Sequence, residues 1–218
     1  MSKERPILFS GPMVQAILAG RKTQTRRIVK PAPYQVPGYP RWFYRKGQTV
    51  YGIPESGDDF SFAAAIKCVS PYGAPGDRLW VRETWFCNSL DYPDATDHAK
   101  ENLVYRADDP DPDFDGESIK DAGGWRPSIF MPRWASRITL EICSVRVERL
   151  NSISGEDAIA EGVSRLSCYG PGCPDGCNAR GCIGAREAYQ HLWETIHGPG
   201  SWELNQWAWV LEFRRVTD

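Results

Sequence analysis

Three runs of alternating residues constrain this chain more than anything else in it: "GDRLWVRETWF" from Gly76, "RITLEICSVRVERL" from Arg137 and "WAWVLEFRRV" from Trp207. A period of two marks a strand with one buried face, so the chain must build a sheet. "PILF" near the start and "KTQTRRIV" from Lys22 add two shorter strand candidates. In the second long run Ile138, Leu140 and Ile142 share one face, whereas Val145 and Val147 fall on the other parity. That phase change predicts a bulge or turn near Cys143 and Ser144.

Helical signals are few and scattered. Pro12 opens an apolar pattern of Met13, Ala16 and Ile17 that Gly20 stops. "SGEDAIAEGV" carries Ser154 as N-cap, Asp157 three residues on and Gly162 as stop, so it reads as a short helix. "AREAYQHLWETIHG" reads as a longer one with Ala185, Tyr189, Leu192, Trp193 and Ile196 in a single apolar stripe. No βαβ repeat is visible, and strands outnumber helices. The expected class is therefore α+β: a curved sheet or small β-barrel with flanking helices and long loop insertions.

The insertions divide what is read as one domain, residues 1–218, at about 30–75, 88–124 and 166–183. The first mixes Pro, Gly and aromatics without a steady period, which predicts a long loop or an added hairpin. The second contains "DDPDPDFDGESIKDAGG", acidic and poor in bulky apolar groups, and is expected to be a mobile loop. The third holds Cys168, Cys173, Cys177 and Cys182, spaced C-x4-C-x3-C-x4-C among glycines and prolines. Such a segment cannot make its own core, so one structural zinc ion held by four thiolates is the leading expectation, with free thiols and then an iron-sulfur cluster as the alternatives. The histidines supply no H-x-E element, which disfavours a deaminase-type catalytic zinc.

Charge is unevenly spread. Residues 1–50 hold ten Lys or Arg against one acid, a balance of +9, while residues 91–121 hold eleven acids against three bases, a balance of −8. A basic head suits an anionic partner such as a nucleotide or nucleic acid. The chain lacks an apolar run of about 18 residues and a signal-peptide-like start, so a cytoplasmic protein with no membrane partner is expected. Most of the nine tryptophans are expected in the core, with one or two at most left to stack on bases.

The basic head centres on "ILAGRKTQTRR", residues 17–27, where Arg21, Lys22, Arg26 and Arg27 surround Thr25. Arginines at this density suit phosphate. Lys22 and Thr25 are also a candidate pair of activator and nucleophile, because a lysine desolvated among other cations can lose its proton and then accept one from a hydroxyl. In an ideal strand the two face opposite sides, so the pair requires Lys22 to lie in the turn after Gly20. Glu161 stands out for a different reason. It ends a short helix, where a carboxylate opposes the helix dipole.

Three separated pieces resemble the ASCH domain, a branch of the PUA-like fold. "ILAGRKTQTRR" is similar to its G-x-K-x-x-x-x-R signature through Gly20, Lys22 and Arg27; "PGDRLWVRE" is similar to its Gly-Asp strand, and "WAWVLEFRRV" to its closing strand. The resemblance covers about half the chain and leaves out the insertions. Within that superfamily the signature is similar to that of small bacterial N4-acetylcytidine amidohydrolases, which implies Lys22, Thr25 and Glu161 as catalytic residues; Arg21, Arg26 and Arg27 are expected, as cations suited to phosphate, to bind the substrate. The architecture, with "RPSIFMPRWASRITLE", also looks like ASCH-type proteins of phages and prophages. The implied function is hydrolysis of an amide on a modified nucleobase, nucleoside or nucleotide. The alternative is a non-catalytic module that binds RNA, single-stranded DNA or a modified base. The 48 residues between the Lys-Thr strand and the Gly-Asp strand leave the identity of the substrate open.

Overall fold

The computed structural model describes residues 3–38, 42–46, 49–53, 70–87, 102–110, 113–114, 117–118, 124–163 and 184–217. The four cysteines of the expected zinc site, Cys168, Cys173, Cys177 and Cys182, lie outside the described residues. Among those described, no group of three or more His, Cys, Asp or Glu is arranged to hold a metal, and no helix is long and apolar enough to cross a membrane.

The strands are β1 (Glu4–Leu8), β2 (Gln24–Ile28), β3 (Tyr34–Gln35), β4 (Trp42–Lys46), β5 (Thr49–Ile53), β6 (Arg78–Arg82), β7 (Trp85–Cys87), β8 (Leu103–Tyr105), β9 (Asp113–Phe114), β10 (Glu117–Ser118), β11 (Thr139–Arg149) and β12 (Trp207–Arg215). The helices are α1 (Gly11–Leu18), α2 (Gly155–Ala160) and α3 (Ala185–His197). The fold is mixed α+β, with a five-stranded sheet in the order β1-β6-β11-β12-β2. In the first insertion, expected as a long loop or an added hairpin, β4 and β5 form an antiparallel hairpin that β3 extends to three strands. Part of the acidic segment also pairs, as the two-residue ribbon of β9 and β10.

The chain divides into two compact units. One comprises Met1–Gly20, Gly76–Ile142 and Arg214–Asp218; the other comprises Arg21–Pro75 and Cys143–Phe213. β11 belongs to both, and it changes unit between Ile142 and Cys143. This is where the apolar phase changes. Leu140 and Ile142 are buried on one parity and Val145 on the other, the phase shift that predicts a bulge or turn, and it lies within one continuous strand, so the turn does not occur.

In the first unit β1 lies parallel to β6, and β6 is antiparallel to the start of β11. Trp85, Cys87, Met131 and Ala135 form a buried cluster there. Leu79, Val81 and Trp85 are buried on one parity, and Glu83 is buried in phase with them. Its carboxylate takes two hydrogen bonds from Arg137, Nε to Oε1 at 2.9 Å and Nη2 to Oε2 at 3.0 Å. Arg137 also bonds Asp108 and lies 3.9 Å above the centre of the Tyr105 ring. Burial raises the Glu83 pKa, and Arg137 offsets part of that rise.

In the second unit β2 pairs antiparallel with β12, Thr25 opposite Leu211. α2 begins as its sequence requires: Ser154 Oγ accepts from the Asp157 N–H, and the Asp157 carboxylate accepts from the Ser154 N–H. Gly162 stops it with φ +86°, a left-handed conformation that favours glycine. α3 packs Ala185, Tyr189 and Trp193 onto Leu150, Ile153, Ala158 and Trp202. Ile196 departs from the expected stripe and is 60% exposed, because the buried side of the helix runs through Ala188 instead. Trp80, Trp85, Trp193, Trp202 and Trp209 are buried, as expected of core tryptophans.

Candidate functional site

The candidate site lies in the second unit, where the entrance to β2 meets the end of α2. Gly20, at φ +71°, turns the chain out of α1, and Lys22 then forms an isolated antiparallel bridge with Glu161. The Thr23 N–H donates to the Ala160 carbonyl at 2.8 Å, which fixes the first residues of the strand against the last residues of the helix. Lys22 therefore lies in extended chain beyond the turn, so the condition for pairing it with Thr25, a lysine in the turn itself, is not met, and its side chain is buried.

The Lys22 ammonium makes two hydrogen bonds to one residue. Nζ donates at 2.8 Å to the Glu161 carboxylate and at 2.8 Å to the Glu161 backbone carbonyl. The second bond answers the problem that the sequence poses at this position. The last carbonyls of a helix lack internal partners and carry the negative end of its dipole. Lys22 supplies that cation, so a carboxylate at the C-cap is tolerated because the same ammonium serves both groups. Both side chains are almost wholly buried, at 2% and 4% exposure.

Burial is what sets the protonation of Lys22. Desolvation lowers its pKa from the ordinary 10.5, the Glu161 carboxylate raises it by less, and Arg27 and Arg26 lower it further. Lys22 consequently gives up its proton more readily than an exposed lysine.

Arg26 completes the buried group. Its side chain is fully buried, and its Nη1 faces Glu161 Oε1 at 3.5 Å, near enough for an ion pair but not aligned as a hydrogen bond. Nη2 is held by Glu148 at 3.1 Å and Asp157 at 3.2 Å. Arg146 ties these outer carboxylates together: it bonds Glu148, Asp157, Glu212 and the Gln24 side-chain oxygen. Gln24 and Arg26 thus point to one face of β2, and alternation assigns Thr25 and Arg27 to the other.

Of the residues the sequence singles out, the structure joins Lys22, Arg26 and Glu161. Thr25 is buried in the same strand, Arg27 is half-buried and Arg21 is exposed. Arg27 lies close enough to act electrostatically on Lys22, on Tyr72 and on Tyr189. Arg146, Glu148, Asp157 and Gln24 are members that sequence reasoning does not select. Their signal is present all the same, since Arg146 and Glu148 share a parity in "SVRVER" and Gln24 shares one with Arg26. Beside this cluster a cleft of about 380 Å³ is lined by Gln24, Cys143, Ser154, Asp157 and Glu212 among others. No family model matches the chain, and no curated protein or solved structure matches it.

Proposed function

We propose that the chain is a hydrolase of an amide on a modified nucleobase or nucleoside, of the N4-acetylcytidine kind, on a PUA-like fold of the ASCH type. The observation that carries this reading is a buried lysine, Lys22, bonded to a buried carboxylate and held below the ordinary lysine pKa. A structural lysine needs only its charge, and burial works against that charge. A general base needs the neutral amine, and burial shifts Lys22 toward that form.

In the proposed reaction a water attacks the acyl carbonyl; Thr25, the hydroxyl that the ASCH resemblance implies, lies on the other face of β2, so the step runs through Lys22 and Glu161. Lys22 Nζ takes the proton as the new C–O bond forms and steadies the developing oxyanion. The acyl C–N bond then breaks, and the proton passes to the departing nitrogen with Glu161 orienting the lysine. One water is consumed overall, giving a carboxylic acid and a free amine. The RNA- or DNA-binding alternative draws on four cations in the basic stretch, and two of these, Lys22 and Arg26, are buried against carboxylates.

The test is release of cytidine from N4-acetylcytidine and of free amine from related acylated nucleosides. Wild-type turnover is expected to rise with pH through the Lys22 midpoint, because only the deprotonated amine can accept a proton. Lys22→Ala should lose about 10²–10⁴-fold in kcat/KM, the usual worth of a general base. Thr25→Val tests the hydroxyl that the resemblance implies: a comparable loss would bring Thr25 into the reaction, and unchanged turnover would leave Lys22 and Glu161 acting on water. Equal turnover by wild type and Lys22→Ala would dismiss the assignment.

A further inference from the structure

The Arg26 side chain is fully buried, and its position does not suit a group that grips ligand phosphate. Its guanidinium lies between an inner carboxylate, Glu161, and two outer ones, Glu148 and Asp157. The outer pair is itself clamped by Arg146. A guanidinium fixed on both sides cannot swing toward a ligand. It keeps its charge at every accessible pH, since arginine does not deprotonate in proteins.

That permanence matters for the lysine next to it. With Lys22 protonated, the buried trio of Lys22, Arg26 and Glu161 carries one net positive charge; with Lys22 neutral it carries none. Without Arg26, loss of the Lys22 proton would leave the Glu161 carboxylate uncompensated in the interior, which is costly.

We infer that Arg26 is a positioning residue: it neutralises Glu161 from the side away from Lys22, so that Lys22 can shed and regain its proton without stranding a bare carboxylate. The inference rests on the reading of Lys22 as a proton acceptor. The charged and titratable groups around Lys22 are Glu161 at the end of α2, Arg26 and Arg27 on β2, Asp157 in α2 and Glu148 on β11. Tyr189 on α3 also feels Glu161, and its hydroxyl stays neutral because burial raises its pKa well above 10.0. Arg26 is a permanent cation paired with Glu161 among the described residues.

The experiment is an NMR titration of Lys22 in full-length protein with ¹³C-labelled lysine, the Lys22 resonance being assigned with Lys22→Arg. Arg26→Gln should raise the Lys22 midpoint by about one pH unit or more, since one unit corresponds to a modest change in buried charge interaction. Arg26→Lys, which restores a cation at the same place, should return it toward the wild-type value. Glu148→Gln provides a second route, because its side chain is partly exposed and its loss leaves the Arg26 charge less compensated. That variant should move the midpoint down. A group that only fills space would shift neither, so a Lys22 midpoint unmoved by Arg26→Gln or by Glu148→Gln overturns the inference, whether or not the wild type hydrolyses acylated nucleosides. Shifts in both expected directions uphold it, and an inactive wild type would then count against the amidohydrolase reading alone.

Discussion

Lys22→Met should lower the stability of the folded chain by about 3–5 kcal/mol, the usual cost of removing one member of a buried ion pair. Three consequences of the substitution add up at one place. Glu161 keeps a buried carboxylate without its 2.8 Å partner, the C-terminal carbonyl of α2 loses its donor, and Arg26 faces Glu161 without a second cation. Methionine fills the lysine stem volume, so the loss measures the charge and its hydrogen bonds more than a cavity. The double variant Lys22→Met with Glu161→Gln should be more stable than Lys22→Met alone, because the orphaned charge is gone. Urea unfolding midpoints of the two variants and the wild type read this directly. A Lys22→Met loss below about 1 kcal/mol, the worth of an exposed pair, would mean that water reaches Glu161 in the folded chain.

Arg137→Leu should cost a similar amount, about 3–5 kcal/mol at neutral pH, in the other unit. Glu83 is 1% exposed and takes both of its carboxylate hydrogen bonds from Arg137. Removing the guanidinium also strips the cation that lies on the Tyr105 ring. The loss should depend on pH in a defined direction. Burial already holds the Glu83 pKa above 4.5, and without Arg137 it rises further. A carboxyl whose pKa is raised in the folded state gives stability that is present below its unfolded pKa and lost as pH climbs through the folded one. The variant should therefore recover part of its deficit when the pH is brought down from neutral into mildly acid solution, as Glu83 takes up a proton. Denaturation midpoints of variant and wild type at both pH values test it; a deficit that stays constant would show that Glu83 is not the group left stranded.

Much of the site was legible before any coordinates. Lys22 stood out as a lysine among cations and Glu161 as an acid at the wrong end of a helix, and the two prove to explain each other. The helix limits at Ser154 and Gly162 and the long strand pairs followed from caps and alternation, which are local signals. What escaped depends on partners distant in sequence. The phase change in β11 was visible, but its correlate, a strand passing from one compact unit to the other, has no signature in a short window. The exposure of Ile196 was equally hidden, because a helical period locates an apolar stripe without saying how far along it the neighbours extend. Arg26 looked like a phosphate ligand because its carboxylates, Glu148 and Asp157, come from elements more than a hundred residues away. Glu83 has a local signal of its own, since it shares the buried parity of Leu79, Val81 and Trp85, where a charge must have a partner.

The substitution that separates a structural charge from a proton acceptor at this site is Lys22→Arg. Arginine keeps the positive charge and can donate to Glu161, but it has no accessible neutral form. The measurement is the rate of cytidine release from N4-acetylcytidine by folded Lys22→Arg protein beside the wild type across a pH series. The expected result is a wild-type rate that climbs with pH through the Lys22 midpoint and a variant that folds yet shows no such release at any pH. A folded Lys22→Arg variant that turns the substrate over as fast as the wild type would contradict the assignment of Lys22 as the group that moves the proton.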